Sequence, residues 1–115
     1  MRNANKLKKL LHTLSDINRL RIISCIGSHE LSVGKIVEAT QMSQPLVSHH
    51  LKTLKKNAIV DTRRKGPFIY YRLSSPQLLD VLGVLSDLAQ NVDDGKSSAP
   101  MFQCPAWWRD LDDIN

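Results

Sequence analysis

The sequence is poor in cysteine, glycine and aromatic residues, with two cysteines, five glycines and six Phe, Trp or Tyr in 115 residues. Cys25 and Cys104 cannot build a disulfide framework, and no Cys-x-x-Cys pair offers a zinc or redox site. There is no P-loop, no Gly-rich nucleotide fingerprint and no His-Glu-x-x-His. No apolar run approaches the roughly 18 residues of a membrane-spanning helix. Leu7 to Leu14 is interrupted by Lys8, Lys9 and His12, which a secretory signal core would not carry, so a cytoplasmic protein is expected. No internal repeat is visible. No Ser, Cys or carboxylate stands with a base and an orienting group, so an enzyme is not expected, and neither is a cofactor.

Acidic residues are scarce in one part of the chain. Residues 1–73 carry 14 basic and 4 acidic side chains, whereas residues 74–115 carry 2 and 7. A cationic portion beside an anionic one points to a surface that faces nucleic acid and a region kept away from phosphate. The length suits one domain, and 42% hydrophobic with 23% charged residues is an ordinary globular composition.

Hydrophobic spacing and capping residues divide the chain. Leu7, Leu10, Leu11 and Leu14 predict a helix over residues 4–14. Ser15 is read as the N-cap of a second helix with Ile17, Leu20, Ile23 and Ile26 on one face, closed by Gly27-Ser28. Ser32 caps a short third helix with Val33, Ile36 and Val37 inward, and Gln41-Met42 is a turn. Ser43 caps a fourth helix, with Pro45 tolerated in its first turn and Leu46, Val47, Leu51 and Leu54 inward. Ser48, His49, Lys52, Lys55 and Lys56 fall on other faces, and Asn57 or Ala58 ends the helix. Residues 59–73 carry β-branched and aromatic residues on either side of Gly66-Pro67, which reads as a hairpin with a basic tip at Arg63, Arg64 and Lys65. A last helix over about 75–91 is apolar on most sides (Leu78, Leu79, Val81, Leu82, Val84, Leu85, Leu88), and a second subunit is the economical way to bury it.

Three central helices and a hairpin, flanked by the first and last helices, give a mainly α chain with a small β-hairpin in winged helix-turn-helix order, forming a homodimer. Residues 1–92 are expected to form the DNA-binding and dimerisation domain. Residues 93–115 are expected to form a polar linker and an aromatic, acidic tail, with Trp107 and Trp108 docked on the domain or forming a partner site.

Four stretches in order resemble the ArsR family of winged-helix repressors. They are Leu14-Ser15-Asp16-Ile17-Asn18-Arg19-Leu20-Arg21-Ile22-Ile23, Glu30-Leu31-Ser32-Val33-Gly34, Ser43 to Leu54, and Arg63-Arg64-Lys65-Gly66 with Tyr70-Tyr71-Arg72-Leu73. The resemblance implies a homodimer joined through the first and last helices, and an operator-bound repressor released by an effector.

On such a fold, Gln44, Ser48 and His49 are the candidate base readers near the start of the fourth helix. Ser43 and the helix N-terminus can hold a phosphate oxygen. Lys52, Arg63, Arg64 and Lys65 are candidate phosphate contacts, and His50 lies further round, where it can pack inward. Double-stranded DNA with a palindromic operator is the expected partner.

The effector is less legible. Soft-metal sensors of the family carry Cys-x-Cys in the third helix, where this chain has Ser32-Val33-Gly34. Another family site uses Asp and His on the last helix, but Asp80 is joined by no histidine over residues 75–92. His12 and His29 fall in no metal-ligand spacing, so no metal site is expected. The Ser-Val-Gly variant resembles a subgroup that responds to oxidants or reactive sulfur through two cysteines. Cys25 and Cys104 lie in the corresponding regions, although counting back from Glu30 aligns that position with Ser24. From the residues themselves, Cys25 reads as a small core hydrophobe among Ile22, Ile23 and Ile26. Two alternatives stay open, namely arsenite or another soft ion at Cys104, and a winged-helix interaction module without a sensor.

Overall fold

Capping side chains set where most of the helices begin. The structure, a computed structural model, describes residues 2–92, so Cys104 and Trp107-Trp108 lie outside the described residues. Helix α1 (Arg2–Leu14) starts two residues before the expected position. Helix α2 (Ile17–Ile26) is capped by Asp16 rather than Ser15. The Asp16 carboxylate accepts the N–H groups of Asn18 and Arg19 at 2.8 and 3.2 Å, whereas the Ser15 hydroxyl donates backward to the carbonyl of His12. A carboxylate is also the better partner for the positive end of the helix dipole.

The buried face of α2 is Ile22, Ile23, Cys25 and Ile26, and Ile17 is 55% exposed. The expected i, i+3 stripe from Ile17 drifts by about 60° at each step, because three residues turn the helix only about 300°. Its two ends therefore lie on opposite sides, and the packed face is the one holding four apolar residues in five positions.

Strand β1 (Leu31–Ser32) is an element that the sequence pattern does not predict. It is followed directly by α3 (Val33–Thr40), whose N-cap is Ser32 as expected. Gln41 ends α3 in the left-handed region at φ 61°, and its amide group donates to the carbonyl of Glu38. Helix α4 (Gln44–Lys56) then begins at Ser43, whose hydroxyl accepts the N–H of Leu46 at 3.3 Å. Arg21 of α2 donates to the carbonyl of Thr40 at 3.0 Å and ties the turn to the core.

Strands β2 (Val60–Lys65) and β3 (Phe68–Leu73) form the expected hairpin, and β1 pairs with the far side of β3, giving the antiparallel order β1-β3-β2. Gly66, at φ 61°, supplies the positive φ that a two-residue hairpin loop needs. Leu31 and Tyr71 are opposite each other, as are Val60 and Leu73, so one face of the sheet closes over the helices. The core joins Ile22, Ile23 and Ile26 to Ile36, Val47, Leu51, Leu54 and Val60.

Helix α5 (Gln77–Val92) sends Leu82 into this core, with Leu78 and Leu79 half-buried against it. Val81, Val84, Leu85 and Leu88 remain exposed, Val84 at 60%, and so do Leu7, Leu10 and Leu11 on α1. Each flanking helix therefore has an apolar face that the described residues do not cover.

Candidate nucleic-acid interface

Helix α4 is built to present one face. Val47, His50, Leu51 and Leu54 are buried and anchor it on α2 and α3. Gln44, Ser48, His49 and Lys52 are all exposed, as are Ser43, Lys55 and Lys56. Leu46, expected inward, is instead 36% exposed, because it lies about 80° outside the arc that Val47, Leu51 and Leu54 define. A short, polar, hydrogen-bonding surface at the start of a helix, continued by lysines along its length, can meet base edges and phosphates together.

His50 occupies the inward position. It is 5% exposed, its ring stands edge-on to His49 at 5.4 Å, and its Nδ1 has no hydrogen-bond partner among the described residues. Burial pushes its pKa below the usual 6.5, with Arg19 and His49 acting in the same direction and the Asp16 carboxylate against it. The Asp16 carboxyl is itself held below its usual value: burial opposes this, but the Arg19 and Asn18 N–H groups and the Arg19 charge outweigh it.

The hairpin divides its three basic residues between two faces. Arg63 and Lys65 share the outer face with Tyr70 and Arg72, while Arg64 points to the opposite side and donates to the carbonyl of Gly66 at 3.4 Å. Glu30, just before β1, meets the outer set. Its Oε1 accepts from Arg63 Nη1 at 3.4 Å and lies 3.8 Å from Arg72 Nη1, and its Oε2 lies 3.4 Å from Lys65 Nζ. Lys65 Nζ also sits 5.2 Å from the Tyr70 ring centre. Shielding of the Glu30 carboxyl works to raise its pKa, but Lys65 and Arg63 hold it below its usual value. Neither Glu30 nor Arg72 is among the site residues expected from the sequence, and Glu30 lies 33 residues from Arg63. No local pattern could have joined them.

Cys25 is 2% exposed within the core. Among the described residues no group of three or more His, Cys, Asp or Glu could hold a metal ion, and no helix is long and apolar enough to cross a membrane.

Comparison with known proteins agrees with this geometry. Residues 16–62 match the family described as bacterial regulatory protein, arsR family. The arsenical resistance operon repressor of Staphylococcus aureus is 36% identical over 87 residues, covering 76% of this chain and 77% of its own. The chain belongs to the ArsR family. Among solved structures, the transcriptional repressor BigR from Xylella fastidiosa is 32% identical with a TM-score of 0.69, over 76% of this chain and 89% of that one. Reduced HlyU from Vibrio cholerae is 31% identical with a TM-score of 0.68, over 76% and 92%. This ArsR-family member is a DNA-binding transcriptional regulator with a winged helix-turn-helix fold. In these terms α3 and α4 are the helix-turn-helix, and β2 and β3 are the wing.

Proposed function

We propose that this regulator is a cytoplasmic repressor that binds a palindromic operator as a homodimer and is released by an effector. The observation that carries the reading is the outward face of α4, where Gln44, Ser48, His49 and Lys52 are exposed on a helix anchored by its other side. In the proposed complex Gln44 pairs with an adenine edge, Ser48 and His49 reach neighbouring bases, and Ser43 with the helix N-terminus holds a phosphate oxygen. Lys52, Arg63, Arg64 and Lys65 contact the backbone. The exposed apolar faces of α1 and α5 support dimerisation through those helices.

Titration of operator and random duplexes tests the assignment. Gln44→Ala should cost about 1–3 kcal/mol on the operator and relax preference at one base pair. Lys52→Ala should weaken both duplexes alike and flatten the salt dependence. Equal losses on both duplexes for Gln44→Ala would remove Gln44 as a base reader.

The proposed effector chemistry is oxidation of Cys25 and Cys104 to a disulfide, with a thiol oxidant such as diamide accepting the two protons and two electrons. The burial of Cys25 means that its sulfur becomes reactive only when α2 opens locally. Mass spectrometry of diamide-treated protein, paired with operator binding, tests this. Unchanged DNA affinity after replacement of both cysteines would refute it.

A further inference from the structure

The wing's cations are not equally available. Arg63 and Lys65 converge on the two oxygens of one carboxylate, and Arg72 closes the group from the neighbouring strand. The Glu30 side chain is 23% exposed beneath cations that are 52–59% exposed, so the positive groups lie over the acid and face water. Arg64, on the other face, bonds to the backbone of the turn instead. A carboxylate and a phosphate are acceptors for the same donors, so a cation drawn to one is partly withheld from the other.

We propose that Glu30 is a positioning residue for DNA binding that competes with phosphate for the wing, tying down Arg63 and Lys65 in the DNA-free protein and leaving Arg64 as the wing cation first available to the backbone. The inference rests on the reading that the wing touches phosphate. Exposed ion pairs are weak, so the clasp lowers affinity by a modest factor and DNA can displace it. Lys65 and Arg63 hold the Glu30 carboxyl below its usual pKa, in keeping with a charged acid beneath the two cations.

The test is the affinity of the full chain for a random-sequence duplex over a salt series, measured by fluorescence anisotropy. Glu30→Gln should bind severalfold more tightly at low salt, and the slope of log K against log salt should steepen by up to about 0.9 per released cation. Asp61→Asn, which makes the same charge change on the same sheet face, should gain distinctly less. Arg63→Ala should cost little in the native background and several times more beside Glu30→Gln, whereas Arg64→Ala should cost affinity in both. The Arg63→Ala, Lys65→Ala pair leaves Glu30 in place and should lose less than Arg64→Ala, a readout that does not depend on how well Glu30→Gln folds.

Unchanged or weaker binding by Glu30→Gln, an equal gain from Asp61→Asn, or equal costs of Arg63→Ala in both backgrounds would overturn the clasp. If every wing variant, Arg64→Ala included, bound like the native protein, the wing reading would fail and the clasp with it.

Discussion

A buried histidine whose Nδ1 meets no partner is held by the fold as a neutral ring, because protonation would place an unsolvated charge in the core. His50 is in that position, and its pKa lies below 6.5 in the folded protein. A depressed folded pKa contributes stability that is present above 6.5 and is lost as pH falls through the folded value. Urea melts at pH 7.5 and 5.5 should show the native protein weakening on acidification, and His50→Phe should reduce that dependence. An unchanged pH slope in the variant would assign the effect elsewhere. The sequence marks His50 as a residue that can turn inward, since it lies about 100° round the helix from the outward His49. Sequence could not find Glu30, whose partners are brought to it only by the pairing of β1 with β3 and β3 with β2.

Helices and strands were legible where a local signal fixes them. Ser32 and Ser43 cap α3 and α4, and Gly66-Pro67 turns the hairpin, because a cap or a tight turn is decided within three or four residues. Ser43→Ala should therefore cost about 1 kcal/mol, read by thermal or urea denaturation, through loss of the bond to the Leu46 N–H. No loss would mean that the cap is replaced by water. Legibility failed where a neighbouring element decides. Strand β1 is two residues long and exists only through its pairing with β3. Leu46 and Ile17 sit in apolar patterns, yet the packed arcs of their helices exclude them. Helix α5 is the intermediate case. Its excess of apolar residues predicts a cover from a second subunit, and Val81, Val84, Leu85 and Leu88 lie outside the core of the described residues. Leu88→Glu should convert a dimer to a monomer in sedimentation equilibrium with helix content nearly unchanged. A stable dimer in that variant would place the interface elsewhere.

For the whole molecule, the order of elements and the cationic bias of residues 1–73 were readable, because both are properties of the chain before it folds. The distribution of that charge was not readable. Folding sends Arg63 and Lys65 to one side of the wing and Arg64 to the other, and places a carboxylate under the first pair. In the proposed two-fold assembly, two copies of α4 enter successive major grooves, and the sequence they select mirrors their symmetry. Selection of bound duplexes from a random pool, carried out with the reduced full chain at moderate salt, tests this directly. The expected product is a pair of inverted half-sites about one helical turn, roughly 34 Å, apart, with enrichment lost in Leu88→Glu and degraded at one base pair per half-site in Gln44→Ala. A single unrepeated site, or a pool that stays random, would contradict it.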